Sequence, residues 1–575
     1  MKQLIKYTLG ISLLLILFSG CEDFKLGDDF LEKKTSTDVT LDQVYSSKVY
    51  AEEALAQVYR SLPMGLIVNG RISWRMLESI TDLNCNAKAG AAWDYGGSAD
   101  ASLAAGSMPY SFYDDSNKRG AISGIRNAYL FIENVDKVPD MTQSEKDIRK
   151  AEAKVIIAYH CSDMYRYFGG MPWISHSYKP ADNFDTERLT AAAYADSIAT
   201  LLDKAAAVLP WSVAPEDDGR MTRAAAIALK IRVLLFSASP LFNADQPYLA
   251  GEAADKKYVW HGKYDMAYWQ KALDAGLEFI NQQKQNGVYQ LVNTGQPRAD
   301  FQAAYFNRGN NEILISSRWF TTWTTSMWEF AQMRYGMASS TLNLVDMFPM
   351  ADGTEFSWDN PVHAANPFFK NGIPVRDTRL YETVIINEDQ YAGRKAECYV
   401  GGREYTSFAR FTGFLCRKFY QDQVTNNGKY YEFPLLRLPE VYLSIAEALN
   451  ELDRGAEAYP YINMVRTRAG MPGLKAGLDK ETFRNAILRE NVLEYAYEQV
   501  RFFDLNRWKR SDIWKTTAHL TGLVITKVGS SFTYAKIATP DPRVSYENFN
   551  PRLYLQPIPV AEINKKYGLI QNPGW

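Results

Sequence analysis

The chain has 575 residues, 46% of them hydrophobic and 23% charged, with a formal net charge of −2. That length supports a large core in one big domain or two intergrown ones. The near-neutral balance argues against nucleic acid as a partner.

Residues 1–20 read as a lipoprotein signal peptide. Lys2 and Lys6 give a positive start, and the apolar run 9–18 is too short to span a bilayer. Leu17-Phe18-Ser19-Gly20-Cys21 fits a bacterial lipobox. The chemistry requires the Cys21 thiol, which takes a diacylglycerol thioether before the peptide is cut and the new amino terminus acylated. Each buried methylene contributes about 0.8 kcal/mol, so several acyl chains hold a protein firmly on a membrane. No second apolar run reaches transmembrane length. Cys85, Cys161, Cys398 and Cys416 lack C-x-x-C spacing, which argues against zinc. Cys398 and Cys416 flank a Gly-Gly stretch and either pair or remain free thiols.

Residues 21–40 form the acylated start and an extended tether. The region 41–285 then carries helical signals. A first helix is expected over 41–62, with Thr40 as N-cap and Val44, Ala51, Leu55 and Val58 on one face. Further helices are expected over 124–138, 144–168 with Ser144 as cap, 190–209, 222–237 and 265–284. The run Arg223-Ala224-Ala225-Ala226-Ile227-Ala228 would let two helices approach closely.

The texture changes over 64–123 and 286–434, which are rich in Gly, Asn, Asp and aromatics. The second stretch reads as a loop-rich ligand-binding region with short strands such as 312–316. Long irregular segments in a compact protein are usually functional.

The last region, 435–575, opens with three helical segments. Leu438, Val441, Ile445, Leu449 and Leu452 recur at helical spacing, with Gly455 expected to close that helix. Ala458, Ile462, Val465 and Ala469 mark the second, stopped by Gly470 and Pro472; Pro460 fits only in its first turn. Phe483, Ile487 and Leu493 mark the third. Short helices joined by tight turns suggest antiparallel pairs of the tetratricopeptide kind, about four units in all, although no strict ~34-residue period is visible. The fold class is therefore mainly α: a helical-pair scaffold with a loop-rich second subdomain. Glu490, Glu494 and Glu498 fall on one stripe, followed by Arg501 and Arg507. A salt-bridged helix packed on its neighbour explains that pattern better than paired catalytic carboxylates do.

Functional candidates come from the aromatics, 13% of the chain with 13 Trp, 36 Tyr and 28 Phe. A sugar ring has an apolar C–H face and an edge of hydroxyls. A protein holds it by stacking an aromatic ring on that face and meeting the hydroxyls with Asp, Asn, Arg and amides. One stretch places Trp93 and Tyr95 beside Asp94, with Asn84 and Asn86 upstream. Another places Trp319, Trp323 and Trp328 among hydroxyls, with Arg318 adjacent. Trp508 and Trp575 read as structural.

Three strings near the end resemble a known family. Ile462-Asn463-Met464-Val465-Arg466-Thr467-Arg468-Ala469-Gly470 is similar to its "IN.VR.RAG" string. The run from Glu498 to Trp508 is similar to "E..R..DL.RW", and the ending Tyr554-Leu555-Gln556-Pro557-Ile558-Pro559…Gln571-Asn572-Pro573-Gly574-Trp575 to "YL.PIP…QNPG(Y/W)". The sequence thus resembles the SusD/RagB family of outer-membrane nutrient-binding lipoproteins, at motif level over about the last quarter. Gln499 and Val500 depart from the usual Gly and His or Gln, and Trp575 from the usual Tyr. The resemblance implies a tetratricopeptide-like scaffold and a surface protein that binds glycan without cleaving it. It also implies delivery to a SusC-like TonB-dependent transporter, as a hinged lid. Glu22, Asp23, Asp28 and Asp29 resemble the acidic signal for surface export. Both aromatic stretches loosely resemble the family's ligand platform. No cofactor is implied. Peptide or another nutrient remains an alternative cargo. A glycoside hydrolase or lyase remains a rival reading, since two carboxylates suffice for that chemistry, although no G-x-S-x-G, H-E-x-x-H, Walker A or G-x-G-x-x-G string is present.

Overall fold

A computed structural model describes residues 40–65, 76–85, 120–179, 181–183, 187–318, 338–405, 412–419, 428, 432–539 and 546–575. The signal peptide, Cys21 and nearly all of the tether lie outside these residues.

Threonine hydroxyls start much of the helical scaffold, each accepting an otherwise unpaired backbone N–H. Thr40 and Gln43 make a reciprocal capping box on a short turn, Leu41–Val44. The chain breaks at Tyr45–Ser47 and restarts as α1, Lys48–Tyr59, so the expected single helix is two. Next come α2, Ala121–Asn134, and α3, Gln143–Phe168. The cap of α3 is Thr142 and not Ser144, because Glu145 lies three residues after Thr142 and closes a capping box with it. Thr190 caps α4, Ala191–Ala206, and Thr222 caps α5, Arg223–Ala238. Then follow α6, Ala267–Asn286, and α7, Pro297–Phe306. Near the end stand α8, Leu438–Glu451; α9, Gly455–Arg468; α10, Lys480–Tyr495; and α11, Arg501–Arg507.

Gly455 opens α9 and does not close α8, whose last turn ends at Leu452. Pro460 sits in the middle of α9, on an exposed face where its ring meets water. Gly470 ends α9 in the left-handed conformation, φ +74°. Its N–H reaches the Thr467 carbonyl and that of Met471 the Arg466 carbonyl, the paired bonds of a Schellman motif.

Consecutive helices pack on one another: α1 on α2, α2 on α3, α3 on α4, α4 on α5, α5 on α6, α6 on α8 and α8 on α9 and α10. The pairs α1–α2, α3–α4, α5–α6 and α8–α9 make the scaffold. Small residues set the spacing. Ala224, Ala225, Ala226 and Ala228 are all buried, and a Cβ at Gly276 of α6 would lie 2.4 Å from Ile445 of α8. The chain's end is tied into this scaffold. Arg188 donates to the carbonyls of Phe168 and Ile570, at 2.8 and 2.6 Å, and to Asn572. Asn572 returns hydrogen bonds to the carbonyls of Phe168 and Gln556. The Trp575 indole donates to the Arg552 and Leu555 carbonyls. Trp508 donates to Glu447 and stacks on Trp269, so both tryptophans are structural.

Two-stranded pieces carry the rest. They include β1, Asn84–Cys85; β2, Ile313–Ser317; β3, Ser339–Ser340; and β4, Phe433–Arg437. β1 pairs antiparallel with β3, and β2 with β4. A hairpin of β5, Thr521–Val528, and β6, Ser531–Ala538, was not expected from the sequence, although Leu523, Ile525 and the half-buried Phe532 and Tyr534 carry an alternating pattern. Cys398 and Cys416 are buried free thiols.

Candidate functional site

Two of the family strings feed a buried charge network, supplying Arg466, Arg468 and Glu498 to it. Arg437 is fully enclosed and reaches Glu312 at 2.7 Å, Glu494 at 2.8 Å and Glu498 at 2.7 Å. Arg468 pairs with Glu312 and Glu494, and Arg379 with Asp377, Glu490 and Glu494. Arg466 holds Glu490 at 2.9 Å. Lys418 holds Glu498 at 2.5 Å and lies over the Phe301 and Tyr305 rings. Five carboxylates thus meet five cations. Burial alone would raise Glu494, but Arg468, Arg437, Arg379 and Lys418 outweigh it and hold the carboxyl below the usual range. The glutamate stripe is therefore a salt-bridged face, as its spacing suggested, but its partners are not Arg501 and Arg507. Arg501 instead clasps Asp82 at 2.7 Å, and Arg507 pairs with Glu447 and Asp504.

This network is tied to the place where the aromatic-bearing segments leave the described chain, through Tyr497, the neighbour of Glu498, whose hydroxyl meets Ser340. Asn86, Trp93, Asp94, Tyr95, Trp319, Trp323 and Trp328 lie outside the described residues. The points where the chain leaves for them are described. The segment carrying Trp93 departs after Cys85. The segment carrying the three tryptophans returns at Ala338, beside Ser339, and Ser339 is the antiparallel partner of Cys85. Directly paired strand residues lie about 5 Å apart. Three further bonds fix this ladder. Ser340 and Tyr497 share a hydroxyl contact of 2.6 Å, Thr341 donates to the Asp82 carbonyl at 2.6 Å, and Arg501 grips the Asp82 carboxylate.

The other end of the tryptophan segment is Arg318. Its side chain is 17% exposed, and it pairs with Glu432 at 2.6 Å and Asp218 at 2.9 Å. Ser316 donates to the same Glu432 oxygen. Gly219, at φ +94°, lets Arg318 lie across its turn, since a Cβ there would stand 2.4 Å from the guanidinium. Burial raises the Glu432 carboxyl, and Arg318 opposes that rise. Glu432 in turn precedes β4, whose Phe433 pairs with Ser317.

Two candidates from the sequence can be placed. Asn84 is fully buried, and its amide donates to Ser79 at 3.0 Å. Arg318 is tied into the Glu432–Asp218 clamp. Both therefore brace the bases of the aromatic segments. Glu432 and Asp218 carried no local signal, because Glu432 meets Arg318 across 114 residues of chain. Glu78 was missed too. It sits on a buried turn, Leu77–Ile80, and accepts the Gln499 N–H at 2.5 Å; burial pushes its carboxyl up to about 7. Among the described residues no group of three His, Cys, Asp or Glu side chains is placed to hold a metal ion, and no helix is long and apolar enough to cross a membrane.

Comparison with known proteins follows this architecture. Residues 301–575 match the family model described as the SusD family. SusD-like protein P25 from Formosa agariphila is 46% identical over 77 residues, which are 13% of this chain and 15% of that relative's length. A crystal structure of a SusD-like protein from Bacteroides fragilis superposes with a TM-score of 0.72 at 22% identity, over 94% of this chain and all of that one. A SusD-like carbohydrate binding protein, also from Bacteroides fragilis, superposes with a TM-score of 0.65 at 20% identity, over 90% of this chain and 98% of that one. The strings that feed the buried charge network and clamp the tail lie inside the matched residues, and over 301–575 the chain is of the SusD/RagB family.

Proposed function

We propose that this protein is a cell-surface lipoprotein that captures oligosaccharide or polysaccharide and passes it, uncleaved, to a SusC-like TonB-dependent transporter in the outer membrane. One observation carries the reading. In a chain with this family's strings, the segment with Trp93 and Tyr95 and the segment with Trp319, Trp323 and Trp328 start from or return to paired strands, which Tyr497 ties to the buried charge network through Ser340. That arrangement suits a glycan platform, whose rings must be held at fixed spacing. The relative described as carbohydrate binding supports it. Asp94 and Asn86 would meet hydroxyls, while Asn84 and Arg318 support the two bases. Cys21 would bear the lipid, so the protein would sit on the membrane without a spanning helix.

The test uses the native protein in mild detergent and the soluble chain from residue 22. The reading expects the full protein to co-purify with a β-barrel transporter, and Cys21→Ala to release it from membranes. It expects the soluble chain to bind a glycan on an array without generating reducing ends. Steady accumulation of reducing ends would replace binding with hydrolysis.

A further inference from the structure

We propose that a groove beside α9, far along the chain from the aromatic segments, is a second saccharide subsite that takes one or two pyranose units of an uncharged oligosaccharide. The proposal rests on the glycan-binding reading above. The groove lies between the end of α8, the first half of α9 and the turn 476–480, and its volume is about 640 Å³. Small-ligand pockets fall at roughly 300–1,000 Å³.

Its wall is a fixed aromatic. The half-buried Tyr459 ring stacks on Phe483 at 4.4 Å and 20°. Its hydroxyl oxygen accepts the Leu478 N–H at 3.0 Å, which leaves the hydroxyl proton to donate. The Asn463 side-chain oxygen accepts the Leu474 N–H at 2.9 Å, so the amide is oriented and its Nδ2 keeps its protons for a ligand. Pro460 supplies the acceptor. It has no N–H, so the Ala456 carbonyl one turn earlier lacks its helical donor, and both residues line the groove.

The charges at the rim cancel. Lys480 holds Asp453 at 2.8 Å, so the groove has no net charge to favour an ion. Ala456 and Gly477 keep it open, and a Cβ at Gly477 would meet nothing within 4 Å. An oriented ring, an amide donor, a hydroxyl donor and a carbonyl without its helical donor, without net charge, match the face and edge of a sugar.

The experiment is hydrogen–deuterium exchange on the chain from residue 22, with maltohexaose, laminarihexaose and xylohexaose each at millimolar concentration. For a hexaose that binds, the proposal expects slower exchange in peptides covering 455–463 and 474–480. That protection should persist in Trp93→Ala. It should be lost in Ala456→Trp, which fills the groove from an exposed position and removes no side-chain hydrogen bond. Tyr459→Phe should weaken it about fivefold while stacking on Phe483 stays intact. Binding that disappears in Trp93→Ala, with the groove peptides unprotected in the parent, would overturn the second subsite and leave the first standing. If none of the three hexaoses changes exchange anywhere in the chain, both proposals fail together.

Discussion

Glu78 shows how a single buried carboxyl reports on this fold. One oxygen accepts the Gln499 N–H; the other has no hydrogen-bond partner among the described residues, with the Lys418–Glu498 pair and Cys416 near enough to act on its charge. Burial raises it from 4.5 to about 7. The folded state therefore binds the proton more tightly than the unfolded state. Stability from this group is full below about pH 4.5 and falls as pH rises towards 7, by about 3 kcal/mol in total. Glu78→Gln keeps the shape and removes the titration. Urea midpoints at pH 5 and pH 8 should converge in the variant, and at pH 8 it should be more stable than the parent. An equal pH dependence in both proteins would refute this placement. The same turn is where the chain departs from the family string. Gln499 adopts φ +67°, a left-handed conformation natural to the glycine the family often has there.

At the scale of elements, the charge network makes a sharp prediction. Removing one member of a buried ion cluster leaves the others desolvated and unpaired, at a cost of about 3–5 kcal/mol. Glu494→Ala strands parts of Arg379, Arg437 and Arg468 together, so it should lower the urea midpoint by that equivalent. A variant as stable as the parent would show that the network contributes nothing. The helix starts test more gently. Thr142→Ala should cost about 1 kcal/mol and Ser144→Ala almost nothing, measured the same way, because Thr142 alone accepts the first-turn N–H. These elements also show what the sequence made legible. Helices with Thr40, Thr190 and Thr222 at their starts could be located, since cap and apolar face lie within a few residues of each other. The glutamate stripe was recognisable, but its partners come from positions 379, 418, 437, 466 and 468, which no local pattern links to it. The β5–β6 hairpin alternates over too few buried positions to stand out beside stronger helical signals.

For the whole molecule, the sequence pointed to the scaffold and to the family, because the strings at 462–470, 498–508 and 554–575 each serve structure. They supply Arg466 and Arg468 to the network, Glu498 and Arg501 to its edge, and Asn572 to the tail clamp. The proposed ligand platform was legible only as composition. Its bracing was not, since Arg318, Glu432 and Asp218 meet through folding alone. The most direct measurement is the affinity of Trp93→Ala and Trp319→Ala for the glycan the parent binds, by affinity electrophoresis, with circular dichroism as the control. Each stacked ring contributes on the order of 1–2 kcal/mol, so each variant should bind about tenfold more weakly with its helical signal unchanged. Both variants binding as tightly as the parent would contradict the account.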